Sequence, residues 1–267
     1  MAESDAAIGI FDSGVGGLTV LARVAARLPG ESIIYLGDTA RVPYGTKSGE
    51  TVQRYAAGCA GVLLERGVKM LIVACNTASA HALETLRHDL DVPVIGVIMP
   101  GARSAVGISR NGRIGVIGTA STIASQAYDD AISAMAPGAR VFSKPCPLFV
   151  PLAEEGWVHG PVPRQVAATY LEELLQNGID TLVLGCTHYP LLKDIIQETV
   201  GPAVSLVDSA EATSHAVADT LAGLGLARDC DAPPEYSFLV TDAPESFARV
   251  GARFLGRAIS PVEWVDV

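Results

Sequence analysis

Charge is scarce in this chain. Only 18% of its 267 residues are charged, and the lysines number just four: Lys47, Lys69, Lys144 and Lys193. Lys and Arg total 19 against 29 Asp and Glu, a formal net charge of −10. A duplex-binding surface needs clustered cations. These are scattered, which excludes nucleic acid as the primary ligand. No apolar run reaches the roughly 18 residues of a membrane span. No signal peptide precedes Ile8, because Met1-Ala2-Glu3-Ser4-Asp5 is polar and acidic. The five cysteines form no CxxC pair and are odd in number. Together these absences predict a reduced, cytoplasmic protein. Clustered His, Cys and carboxylate at metal-ligand spacing is also missing, so no metal is expected. No lysine ends an apolar run where a Schiff base would need it. Gly14-x-Gly16-Gly17 has neither the GxGxxG spacing nor the lysine of a phosphate loop.

What is present is apolar residue. Hydrophobic residues make up 49%, and mean hydropathy is +0.34. That excludes disorder and predicts many strands buried on both faces. At 27.7 kDa the folded surface should be roughly 11,000 Å², with about 70% of the extended chain's surface buried.

Strand-like and helix-like segments alternate from the start. Apolar runs at Ala7–Phe11, Ser32–Leu36, Met70–Ala74 and Pro93–Val97 are separated by helical stretches. Those helices span about Leu18–Leu28, Ser48–Arg66 and Ala78–Leu90. This order predicts an α/β fold with mostly parallel sheets and helices on both faces. An internal echo follows. Ile114-Gly115-Val116-Ile117 resembles Ile8-Gly9-Ile10-Phe11, and Thr181–Thr187 resembles Leu71–Asn76. Gly9 precedes Cys75 by 66 positions, and Gly115 precedes Cys186 by 71. Two similar α/β units are therefore predicted, each with a cysteine at the carboxyl end of a central strand. The stretch from Pro145 through Pro163 reads as irregular. The tail reads as a helix (Ala210–Leu224), a strand (Ser237–Val240) and a last helix (Pro244–Leu255), left over to pack on the first unit.

Open parallel sheets bind ligands outside the carboxyl ends of their strands. Five such ends carry polar residues: Asp12-Ser13, Asp38, Cys75-Asn76-Thr77, Thr119 with Thr122, and Cys186-Thr187-His188. Helix-start N–H groups there attract carboxylates and favour thiolate. Two opposed thiols suit proton removal from one face of a carbon and delivery to the other. With an ordinary pKa of about 8.5, thiol and thiolate are both accessible near neutrality. An α-proton is far less acidic, so the site must stabilise a carbanion-like transition state. A buried cysteine is usually packing, and Cys59, Cys146 and Cys230 are assigned to it. Asp12 equally suits a helix cap. His188 suits either a cap or a proton partner. His81, His88, His159 and His215 are isolated and expected mostly at the surface. A Cys186–His188 hydrolase would leave Cys75 unexplained. A binding protein for an acidic amino acid would need neither thiol.

Seven stretches in order resemble the glutamate racemases of the cofactor-independent aspartate/glutamate racemase superfamily. They are FDSGVGGLTVL from Phe11, YLGDTARVPYG from Tyr35, ACNTASA from Ala74, GVIGTASTIAS from Gly115, CPLFVPLAEEG from Cys146, GCTHYPLL from Gly185 and VDSAE from Val207. The resemblance implies interconversion of L- and D-glutamate without a cofactor, supplying D-glutamate for peptidoglycan. It makes Cys75 and Cys186 the proton donor/acceptors, assisted by Asp12 and His188, with Glu154 linked to the second thiol. It assigns Asp12, Ser13, Tyr44, Gly45, Asn76, Thr77, Thr119, Thr122, Thr187 and His188 to substrate binding, and gives Asp38 a less direct role. It also implies a homodimer and two pseudo-symmetric three-layer α/β domains, residues 1–97 with 208–267 and residues 98–207, with the active site in the cleft between them. Met99 departs from the pattern, standing where relatives carry a glutamate. The segment before Ile8 is short, which disfavours regulation by a cell-wall nucleotide precursor. Racemases of aspartate or of hydantoins are the nearest alternatives, and the full motif set disfavours both.

Overall fold

The computed structural model describes residues 3–229 and 232–267. Cys230 lies outside them.

In the first half, β1 (Ile8–Asp12), β2 (Ile33–Gly37), β3 (Met70–Val73) and β4 (Val94–Gly96) alternate with α1 (Leu18–Arg27), α2 (Gly49–Glu65) and α3 (Asn76–Asp89). Helix α4 (Ile98–Ile108) leads to the second half. There β5 (Arg113–Gly118), α5 (Ala120–Ala124), α6 (Ala127–Met135), β6 (Arg140–Pro145), α7 (Phe149–Glu155) and α8 (Pro161–Gln176) precede β7 (Thr181–Gly185). Helix α9 (Lys193–Val200) and β8 (Ser205–Asp208) complete that half. The tail is α10 (Ser209–Leu224), β9 (Tyr236–Val240), α11 (Pro244–Leu255) and β10 (Val262–Trp264).

Two sheets form. One has the order β10-β9-β2-β1-β3-β4 and the other β6-β5-β7-β8. Every described pairing is parallel. The run β2-β1-β3-β4 of the first sheet and the order β6-β5-β7-β8 of the second follow one plan, so the echo in the sequence is an architectural repeat. The tail adds β9 beside β2, extending the first sheet. Strands β1, β3 and β7 are buried at every position, as continuous apolar runs in a parallel sheet should be. The largest core cluster runs through both sheets, joining Ile10 and Ile72 to Leu182 and Leu184. The folded chain exposes 11,460 Å², close to the scaling expectation. Among the described residues, no helix is long and apolar enough to cross a membrane.

Three details differ from the sequence expectation. The stretch after Pro145 is not wholly irregular. It folds α7, which tolerates Pro151 in its first turn and ends at Gly156 with φ +75°; α8 then starts on Pro161. Strand β6 carries no fully buried residue, so it has no apolar run to announce it. Helix α3 begins at Asn76, two residues earlier than expected, which makes Cys75 its N-cap.

Candidate active site

The strand-end loops of the two sheets meet. Cys75 follows β3 and Cys186 follows β7, and both thiols line one cavity. Ser13, Tyr44, Gly45, Asn76, Thr77, Thr119, Thr187 and His188 line it with them. The cavity offers about 30 Å³ to the centres of water molecules, which is room for one or two waters. A larger groove of about 790 Å³ lies between α4 and α10. It holds neither thiol and is lined in part by Met99, so size alone does not locate the site.

The Cys75 thiol caps α3, its Sγ accepting from the Ala78 N–H at 3.5 Å. It also donates to Ser13 Oγ at 3.7 Å. Burial, followed by the charge of Asp12, pushes the Cys75 thiol up to about 12, against the Ala78 N–H and Ser13. Asp12, fully buried at the end of β1, accepts from the Gly14 N–H at 2.9 Å. Burial raises its carboxyl above the usual range, opposed chiefly by His188. The helix-cap reading of Asp12 does not hold, because the cap of α1 is Gly17, which carries no side-chain hydrogen bond; Asp12 instead braces the loop before α1 through the Gly14 N–H.

Cys186 has a different neighbour. Its Sγ lies 3.9 Å from His188 Nδ1, and His188 Nε2 lies 2.9 Å from Glu154 Oε1. Burial disfavours the imidazolium. Hydrogen bonds to Cys186 and Glu154, with the charges of Cys186 and Asp12, outweigh it and carry His188 up to about 10. The Thr187 hydroxyl stands 3.5 Å from both Asp12 Oδ1 and His188 Nδ1, joining the two halves. Gly16 permits this meeting. A Cβ there would fall 2.3 Å from Thr187 Oγ1 and 2.5 Å from His188 Nδ1.

Hydroxyls and an amide cover the rest of the wall. Thr77, Thr119 and Thr122 form a triangle of Oγ1 contacts at 2.9, 3.0 and 2.9 Å, across α3 and α5. Gly45 packs on Thr119, and a Cβ at Gly45 would meet Thr119 Cβ at 2.7 Å. Tyr44 donates to Asp38 Oδ2 at 2.5 Å. Asp38 is itself held by Thr241 beyond β9, which makes it a support for Tyr44. Asn76 Oδ1 accepts from Tyr128 at 2.8 Å, while its buried Nδ2 has no partner. A buried amide donor left unpaired costs free energy. An anionic group in the cavity would satisfy it.

All the residues singled out from the sequence for binding or proton transfer lie on or beside this cavity. Tyr128 was missed, because nothing in its local pattern sets it apart from core. Phe254 was also missed. It meets the His188 ring at 5.2 Å and 79° from the far end of the chain. Cys59 and Cys146 are buried, and burial pushes both thiols up. His88, His159 and His215 are exposed, but His215 is not isolated, its Nε2 lying 2.7 Å from Arg27 Nη2. His81 departs from the expectation of isolation, since its Nε2 lies 2.9 Å from Ser121 Oγ across the two halves.

Two sheets of one plan, each presenting a strand-end thiol to a shared cavity, define an acid–base enzyme of the racemase class. The sequence comparison specifies it further. The profile of the Asp/Glu/hydantoin racemase family matches residues 16–217, and the chain belongs to that family. The glutamate racemase of Geobacter metallireducens is 56% identical over 261 residues, 98% of this chain and 97% of that one. The crystal structure of a glutamate racemase isoform from Bacillus anthracis matches with a TM-score of 0.93 at 40% identity, covering 99% and 98% of the two chains. The glutamate racemase of Francisella tularensis in complex with D-glutamate matches with a TM-score of 0.92 at 40% identity, covering 98% of each chain.

Proposed function

We propose that this enzyme interconverts L- and D-glutamate by proton transfer at Cα between Cys75 and Cys186, without a cofactor. The observation that carries the reading is the pair of thiols lining one cavity from equivalent strand ends. One cysteine, as thiolate, takes the Cα proton and becomes a thiol. The other, as thiol, delivers its proton to the opposite face and becomes a thiolate. Atoms and charge balance, and the product is the mirror image.

The two thiols have different helpers. The His188 imidazolium, held by Glu154, stabilises thiolate at Cys186. The Ala78 N–H and Ser13 do so at Cys75. Asp12 stands beside Cys75 with a raised carboxyl, suited to hold or move a proton near the substrate ammonium. The unpaired Asn76 Nδ2 and the hydroxyls of Thr77, Thr119, Thr122 and Thr187 suit two carboxylates, with Tyr44 and the Gly45 backbone closing the wall. The closed cavity is too small for an amino acid, so substrate enters a more open form. The bodies that part are taken as residues 1–97 with 208–267 and residues 98–207. The enzyme is read as a homodimer in the cytoplasm, where its buried free thiols stay reduced, making D-glutamate for peptidoglycan.

Incubating each enantiomer in deuterated water tests this. The wild type should place deuterium at Cα of the product while the remaining substrate keeps its proton early in the reaction. Cys75→Ala and Cys186→Ala should each abolish turnover. If either variant racemises glutamate at the full rate, the two-thiol reading is wrong. Faster turnover of aspartate than of glutamate would move the assignment to aspartate. Tight binding without exchange would leave a binding protein.

A further inference from the structure

The His188–Glu154 pair sits in the second half of the fold, but helix α11 presses on both members from the first. Helix α11 lies between β9 and β10 and buries the stripe Phe247, Gly251 and Phe254. Phe254 stands edge-to-face with the His188 ring at 5.2 Å and 79° and is itself buried, at 5% exposure. The neighbouring Arg253 donates from Nη1 to the Glu154 carbonyl at 2.5 Å. That carbonyl belongs to the last turn of α7, where helix carbonyls lack intrahelical partners and attract cations. The guanidinium also lies beside Gly156, the residue that ends α7.

We infer that α11 is a positioning element for Cys186 chemistry, with Phe254 fixing the plane of the His188 ring and Arg253 fixing the end of α7 that carries Glu154. An imidazole that bridges a thiol and a carboxylate must present both nitrogens at once. His188 does so with Nδ1 toward Cys186 and Nε2 toward Glu154. Rotation of the ring breaks one contact or both. Phe254 blocks that rotation from one side, and the short α7 keeps its register through Arg253. Neither residue touches the substrate cavity wall near Cys75. Their effect therefore falls first on the Cys186 transfer, through its direct neighbour His188. The inference rests on the two-thiol reading.

The experiment measures kcat and the primary deuterium isotope effect in both directions, using Cα-deuterated L- and D-glutamate. Wild type, Phe254→Leu, Arg253→Met, Arg253→Lys and Cys186→Ser are compared. In Phe254→Leu and Arg253→Met the Cys186 step slows, and kcat should fall about five- to tenfold. With the enantiomer whose proton Cys186 removes, the isotope effect should rise. With the other, removal by Cys75 becomes reversible and the substrate isotope effect should shrink. Arg253→Lys should recover most of the lost rate. A merely structural role would lower the melting temperature or the active fraction and leave the two isotope effects moving together. Isotope effects that stay matched, or an unchanged kcat, overturn the inference. Full activity in Cys186→Ser overturns the two-thiol reading instead, so the two failures are distinguishable.

Discussion

Replacing Glu154 by Gln tests whether the charge of His188 is held by this carboxylate. The contact is a 2.9 Å hydrogen bond from a buried ring to a carboxylate whose side chain is 37% exposed. A charge-assisted hydrogen bond contributes about 1.5–3 kcal/mol. Solvent screening at the exposed partner reduces that to about 1.5 kcal/mol. One pKa unit corresponds to about 1.4 kcal/mol, so His188 should fall roughly one unit below its wild-type position near 10. The sign follows from linkage. The folded-state pKa of His188 is raised above the unfolded value of 6.5. Its contribution to stability is therefore complete below about pH 6.5 and is lost as pH rises through about 10. In Glu154→Gln that loss is finished about one unit earlier. Urea unfolding of both proteins should give a difference of about 1.5 kcal/mol at pH 7, shrinking toward zero above about pH 10.5. A difference that is the same at both pH values, or larger at the higher one, would refute a charged His188–Glu154 pair. It would leave Glu154 contributing by packing alone.

Three further outcomes are expected. The alkaline limb of kcat/KM should fall near pH 10, where His188 loses its proton; a limb near the ordinary histidine value of about 6.5 would contradict the imidazolium assignment. Gly16→Ala places a Cβ 2.3 Å from Thr187 Oγ1 and 2.5 Å from His188 Nδ1, so activity should drop at least about tenfold and stability by about 1–3 kcal/mol. Retention of activity within about twofold would show that the close approach of the halves is dispensable. Tyr128→Phe removes the hydrogen bond to Asn76 Oδ1, freeing the amide to turn. KM for glutamate should rise about fivefold, equivalent to roughly 1 kcal/mol, with kcat changed less, and a fall in kcat alone would count against the role of Asn76 in binding.

Much of the fold was legible because parallel strands buried on both faces are written as continuous apolar runs. Ile8–Phe11, Met70–Val73 and Thr181–Gly185 are each such a run, and each ends where polar residues begin. The repeat was legible for the same reason, since one plan used twice leaves similar spacing, 66 and 71 positions, between equivalent strand landmarks. Strand β6 was illegible because its residues are half exposed and include Lys144 and Pro145. Helix α7 was illegible because Pro147 and Pro151 resemble loop residues when the context of a first turn is unknown.

By itself the sequence determined the α/β class, the two units, and the placing of Cys75 and Cys186 at matching strand ends. These depend on local hydrophobic period and on chain order, which the letters carry directly. The family resemblance already linked Asp12, His188 and Glu154 to the two thiols, but only the tertiary structure decided the contacts that hold these side chains. Glu154 reaches His188 across 34 positions. The Phe254 ring arrives from the C-terminal segment, and the Asn76 amide is held by Tyr128 across 52 positions. Such contacts arise from how two sheets pack against each other, and no local pattern records that angle or distance. The same packing buries Asp12, Cys75 and His188 and moves their protonation away from ordinary values. Desolvation belongs to the assembled cavity and not to any residue taken alone.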